Sequence, residues 1–201
     1  VLVFQFFRQF SGINFFLLYS VKIFDDIGQD GAMANLVVSL SNVLGAILCI
    51  WFVDALGRKT SIILGIIAHT VALIGLVCRD LTESYALMYP NCVLYILGFA
   101  AMGSAEMSWM VETIQSVGIG MALALGWFSG GCISLFSLVL METLLGPTGM
   151  MIFYTLWCFV GIFILDWVII ETKGKQMDEV EQEYLHFKYR PFRLCPRNVV
   201  G

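Results

Sequence analysis

Six long apolar runs, separated by short clusters of charge, constrain this chain more than any other feature. They extend over Val1 to Phe24, Ala34 to Val53, Thr60 to Cys78, Tyr85 to Val111, Gly120 to Leu145 and Met150 to Ile170. A helix of about 20 apolar residues crosses the hydrocarbon core of a bilayer. The charges lie between the runs, at Asp25-Asp26, Asp30, Asp54 to Lys59 and Arg79 to Glu83, and densely from Glu171 onward. With 59% hydrophobic and 13% charged residues among 201, the composition excludes the surface of a water-soluble domain. Backbone in lipid must satisfy its own hydrogen bonds, and the runs lack the two-residue alternation of a membrane barrel. The expected fold class is therefore an all-α membrane protein of six transmembrane helices.

Lys and Arg placement sets the expected orientation, because cytoplasmic flanks carry the excess. If the Arg58-Lys59 turn is cytoplasmic, alternation puts Lys173, Lys175, Lys188, Arg190, Arg193 and Arg197 on the same side, leaving Lys22 and Arg79 outside. Residues 1–170 then form a six-helix transmembrane unit, and 171–201 form a cytoplasmic tail. Within that tail Asp178 to Leu185 reads as a short, solvated acidic helix, and the basic segment Lys188 to Arg197 could lie against anionic lipid. The net charge of −4 has acidic residues on both sides and suggests no nucleic-acid partner. Because the first residue already lies in apolar sequence, the chain is expected to be a piece of a longer protein, with its first helix truncated.

A polar island interrupts the first run. Arg8-Gln9-Phe10-Ser11-Gly12-Ile13-Asn14 places a cation, two amides, a hydroxyl and a glycine inside seven residues of an otherwise apolar helix. Polar side chains within a span are expensive and mark functional sites. At 100° per residue Gln9 and Asn14 do not share a stripe with Arg8, Ser11, Tyr19 and Lys22, so a local break at Gly12 is expected if all are to face one cavity.

Three motifs, in order, resemble the C-terminal half of a sugar (hexose) transporter of the major facilitator superfamily. The island resembles the seventh-helix motif Gln-Gln-Leu-Ser-Gly-Ile-Asn. Asp54-Ala55-Leu56-Gly57-Arg58-Lys59 resembles the acidic turn with Gly-Arg-Arg/Lys after the eighth helix. Ile170-Glu171-Thr172-Lys173-Gly174-Lys175, with Asp178-Glu179, resembles the sequence that ends the twelfth helix. The resemblance implies one half of a twelve-helix fold that alternates access to a sugar held between two six-helix halves. Its implied partners are the lipid bilayer, a small sugar or similar solute, and an N-terminal six-helix half that this chain does not contain.

Residue by residue, the resemblance assigns Gln9, Asn14, Tyr19 and Asn42 to sugar binding or gating. Neutral amides suit this role because they both donate to and accept from hydroxyls. It assigns Asp54, Gly57, Arg58, Lys59, Glu112 and Glu171 to a charge network at the inner face. Arg8 departs from the pattern, replacing a glutamine with a fixed cation that needs an anion, water or an interface. Glu106 is its expected partner, with Asp166 as a weaker candidate. The proline-rich gate of the tenth helix is also absent. In Met102-Gly103-Ser104-Ala105-Glu106-Met107-Ser108-Trp109 flexibility would have to come from Gly103, while Trp109 is either a binding aromatic or a packing one. No Lys or Arg follows Glu112 before Gly120, and Trp127 to Gly131 stand where the family places an asparagine and a tryptophan.

The leading expectation is a carrier that moves a hexose or similar small polar solute by alternating access. Two alternatives stand beside it: a transporter-like receptor or scaffold that no longer transports, and a carrier for an anionic metabolite paired with Arg8. No nucleophile with a base, metal-ligand cluster or phosphate loop is present in the sequence, so no enzyme activity, cofactor or metal is expected. The six cysteines are spread singly, and His69 reads as a packed helix residue.

Overall fold

A computed structural model of the chain describes residues 1–26, 28, 30–82 and 87–185. The basic segment from Lys188 to Arg197 lies outside the described residues. Among those described the secondary structure is helical, with no strand. The elements are α1 (Leu2–Gln9), α2 (Ile13–Asp26), α3 (Gly31–Leu56), α4 (Arg58–Thr82), α5 (Met88–Thr113), α6 (Ser116–Leu140), a π-helical turn (Met141–Leu145), α7 (Gly146–Val168) and α8 (Met177–Leu185).

The first run is two helices, because Gly12 takes a φ of +83°. L-residues avoid that region. A side chain there would also strike the ring of Tyr154, whose Cγ lies 2.6 Å from where a Cβ would sit. The described residues of the other runs are helical, apart from Ile169 and Ile170. Asp30 caps α3 by accepting the N–H groups of Ala32 (3.0 Å) and Met33 (3.1 Å).

Helices α3, α4 (to Arg79) and α5 are each long and apolar enough to cross a membrane, as is the continuous stretch Ser116–Val168. At 1.5 Å per residue that last stretch would far exceed a bilayer if straight. It folds back at Gly146, where φ is +65°. The side chains of Ser137 on α6 and Tyr154 on α7 meet across the resulting hairpin.

The core lies between α4 and α5, with α1, α2 and α7 closing over it. Gly65 and Gly98 face each other, and a Cβ on either would lie 2.7 Å from the other's carbonyl oxygen. Small residues that let two backbones approach this closely are the usual device of helix packing in lipid. Phe4, Ile13, Ile62, Leu73, Tyr95, Ile96, Met102 and Trp109 fill the interior. In contrast, α3 and α6 leave large apolar side chains exposed, among them Leu44, Trp51, Phe128 and Phe136.

The tail differs from a fully solvated acidic helix. In α8, Asp178, Glu179 and Glu181 are exposed, but Val180 is buried against the bundle. Glu179 accepts the N–H of Gln176 at 3.0 Å, which is the return half of a capping box. Tyr184, one turn on from Val180, packs against the hydrophobic core, and the sequence pattern of charges hid this apolar face.

Candidate functional site: a broken span and a charged rim

The break in the first span gathers the amides. Asn14 on α2 donates to Oε1 of Gln9 on α1 at 2.6 Å, so one bond spans the Phe10 to Gly12 interruption. Both amides lie against α6 at Gly130, where a Cβ would sit 2.6 Å from Asn14 Nδ2 and 2.7 Å from Gln9 Oε1. One turn earlier, a Cβ on Gly126 would sit 2.5 Å from Oε1 of Gln5. Gln5 is buried, and its amide nitrogen contacts Met110 Sδ at 3.5 Å. Glycines four residues apart thus form a smooth strip on α6 that receives three amides from α1 and α2. Ser134 and Ser137 continue the strip, and Ser137 carries Tyr154. A cleft of about 500 Å³ opens on the neighbouring face of α6, lined by Phe6, Phe10, Phe128, Phe136 and Phe153 with Ser129 and Ser137 as its hydroxyls.

The break also frees a backbone carbonyl. Ser11 O receives Tyr95 Oη at 3.3 Å and faces His69 Nε2 at 3.2 Å, while His69 Nδ1 lies 3.0 Å from Tyr95 O. The serine hydroxyl turns back to donate to Arg8 O at 2.7 Å.

Arg8 has a carboxylate partner. Its Nε lies 3.1 Å from Glu106 Oε2, and its guanidinium sits 5.2 Å from the centre of the Phe99 ring. Tyr95, Phe99 and Glu106 fall on one face of α5, so a single helix face grips Arg8 and Ser11 together. Asp166 is engaged elsewhere, paired with Lys59 at 3.1 Å. Helix α5 runs unbroken through Gly103, where a Cβ would meet nothing within 4 Å.

At the end of the bundle where α4 begins, charges tie several helices together. Glu171 accepts the N–H of Arg58 at 2.8 Å and of Lys59 at 3.1 Å, closing the N-terminus of α4. Gly57 makes this seat possible, because it takes a φ of +93° and a Cβ there would lie 2.7 Å from Glu171 Oε2. Arg58 places Nη2 2.7 Å and Nε 3.0 Å from Glu112 Oε1, and Thr172 donates to Glu112 Oε2 at 2.5 Å. Asp54 is a more distant and exposed partner of Arg58, at 3.8 Å. Trp109, fully buried, donates its indole N–H to Ile170 O at 3.2 Å, which makes it a packing aromatic at the foot of α7.

Two of the residues carried over from the resemblance stand apart from the amides. Asn42 is exposed on α3, and Tyr19 is half-buried one turn beyond Phe15, with ring centres 5.3 Å apart. Sequence reasoning passed over Gln5, Tyr95, Ser137 and Tyr154. The signal for Gln5 was available, as an amide four residues before Gln9 on the same helix face. The glycines at 126 and 130 share that spacing.

Among the described residues, four stretches long and apolar enough to cross a membrane, beside a broken first run that gathers amides, mark an integral membrane protein. A family model described as sugar (and other) transporter matches residues 1–184, and the chain belongs to that family. It is 28% identical over 199 residues to the facilitated trehalose transporter Tret1-2 homolog of Drosophila sechellia, covering 90% of this chain and 40% of the relative. It is 29% identical over 199 residues to trehalose transporter 1 of Drosophila melanogaster, covering 90% and 23% respectively. The chain therefore spans well under half the length of these relatives. Its fold matches that of XylE, a proton:xylose symporter of the major facilitator superfamily solved with 6-bromo-6-deoxy-D-glucose, with a TM-score of 0.74 at 22% identity. That match covers 90% of this chain and 41% of the symporter.

Proposed function

We propose that residues 1–170 form one six-helix half of a carrier that moves a hexose or similar small polar solute by alternating access, with 171–201 as a cytoplasmic tail. A second six-helix half completes the cavity. The observation that carries this reading is the amide group Gln5, Gln9 and Asn14, held at a break in a membrane span against the glycine strip of α6. Amides there offer both donors and acceptors to sugar hydroxyls in surroundings where lipid offers neither. The resemblance adds Tyr19 and Asn42, which stand apart from the amides on α2 and α3. The charged rim of Asp54, Arg58, Lys59, Glu112 and Glu171 acts as the inner latch, making and breaking as the cavity opens inward. The names of the relatives make trehalose and xylose solutes to compare with glucose.

The Arg8–Glu106 pair bears on the anion alternative. An arginine that already has a buried carboxylate at 3.1 Å is compensated within the protein, and an anionic solute would have to displace Glu106 to use it. A neutral polyol meets no such penalty.

The test is radiolabelled uptake by the full-length protein in vesicles, comparing glucose, trehalose, xylose and a monocarboxylate. Saturable sugar flux supports the proposal. Anion flux without sugar flux, abolished by Arg8→Gln, would replace it with the anion carrier.

A further inference from the structure

His69 belongs to no motif and touches none of the amides, yet it is fully buried at the centre of the bundle. It sits on α4 where Gly98 of α5 leaves room, since a Cβ on Gly98 would lie 2.7 Å from the His69 backbone nitrogen. Its ring stacks on Tyr95, with centres 3.8 Å apart and planes inclined by 29°. Its Nε2 faces Ser11 O at 3.2 Å.

Ser11 is itself buried, and its carbonyl lies in the gap between the two halves of the broken span. A backbone carbonyl left without a donor in apolar surroundings is costly. The Tyr95 hydroxyl and the His69 ring converge on this one oxygen from α5 and α4. Gln9 and Asn14, two residues before and three after Ser11, are joined across the same gap by a single 2.6 Å bond. Any rotation about the gap would pull that amide pair apart.

We propose that His69, with Tyr95, is a positioning residue for the solute site: by holding the Ser11 carbonyl it fixes the angle of the break and thereby the orientation of Gln9 and Asn14. The inference rests on the carrier reading given above for its effect on solute affinity, but the brace itself does not. The brace requires the ring proton on Nε2, facing Ser11 O, and not on Nδ1, which faces Tyr95 O.

The side chains that mimic the two ring nitrogens separate this role from mere packing. A glutamine amide nitrogen reaches the place of Nε2, and an asparagine amide nitrogen reaches only the place of Nδ1. In the full-length protein, His69→Asn and Tyr95→Phe are expected to raise the KM for the transported sugar about twofold to tenfold, the worth of one hydrogen bond. The maximal rate per molecule at the membrane should change little. His69→Gln should restore the wild-type KM. Hydrogen–deuterium exchange of the amides at the start of α2 provides a readout that needs no transport. It should quicken in His69→Asn and Tyr95→Phe and return to the wild-type rate in His69→Gln.

Equal behaviour of the Asn and Gln variants in exchange would overturn the brace, whatever the flux. Quickened exchange with an unchanged KM would overturn the positioning role. If the wild type carries no sugar, the carrier reading fails, and the exchange rates alone still decide whether the brace exists.

Discussion

Arg8 and Glu106 meet at 3.1 Å between α1 and α5, with the carboxylate side chain only 1% exposed. Neither charge has a reason to be in a membrane span without the other. Removing one member of a buried pair leaves an uncompensated ion and costs about 3–5 kcal/mol, whereas removing both is often close to neutral. Glu106→Gln is therefore expected to destabilise the protein strongly, and Arg8→Gln/Glu106→Gln to recover most of the loss. Thermal unfolding of wild type, Arg8→Gln, Glu106→Gln and the double variant in detergent gives the coupling energy directly.

The glycine strip of α6 makes a second prediction. Gly130→Ala puts a methyl group 2.6 Å from Asn14 Nδ2, so the amides must move or the helices must part. Sugar uptake by this variant should show a KM raised about tenfold, equivalent to roughly 1.4 kcal/mol of lost binding. Gly131→Ala, next in sequence, has open space around it and serves as the control.

Glu171 caps α4 from 113 residues away, through Arg58 N at 2.8 Å. Loss of a capping carboxylate costs about 0.5–2 kcal/mol. Glu171→Ala should lower the melting temperature by that equivalent. Gly57→Ala should cost more, because it adds backbone strain at φ +93° to a collision with the same carboxylate. Differential scanning fluorimetry of both variants checks the order.

The docked tail is sensitive to alkali. Burial pushes the Tyr184 phenol up from its usual 10 to about 12. A group whose acid form is favoured in the docked state contributes stability that is complete below pH 10. That contribution is lost as the pH rises towards 12. A spin label on α8 should therefore become mobile over that window in the wild type, and Tyr184→Phe should remove that component. Val180→Asp should free the helix at neutral pH.

Much of this arrangement was legible in the sequence for plain physical reasons. The runs of apolar residues announce spans because lipid leaves no other choice for the backbone, and Gly12 stood out as the point where a helix with two off-stripe amides could break. The link from Arg8 to Glu106 was likewise readable, since a fixed cation in a span demands an anion and the carboxylates within the spans are few. What could not be read was long-range pairing among ordinary residues. Nothing local marks Gly126 and Gly130 as the floor beneath Gln5, Gln9 and Asn14, because the contact exists only once α1 lies on α6. Ser11 O, His69 and Tyr95 come from three separate elements, so their convergence has no sequence signature. Trp109 was undecided between binding and packing until its indole N–H was seen to hold Ile170 O. Val180 was one apolar residue within an acidic stretch, too weak a pattern to signal docking.

Sugar uptake by full-length wild type and Asn14→Ala at matched membrane levels tests directly whether the amides at the break bind the solute. Saturable uptake of at least one of glucose, trehalose and xylose is expected, with the KM raised several-fold in the variant and the protein still present at the membrane. Absence of saturable sugar flux from the wild type, or an unchanged KM in Asn14→Ala, would contradict that role for the amides.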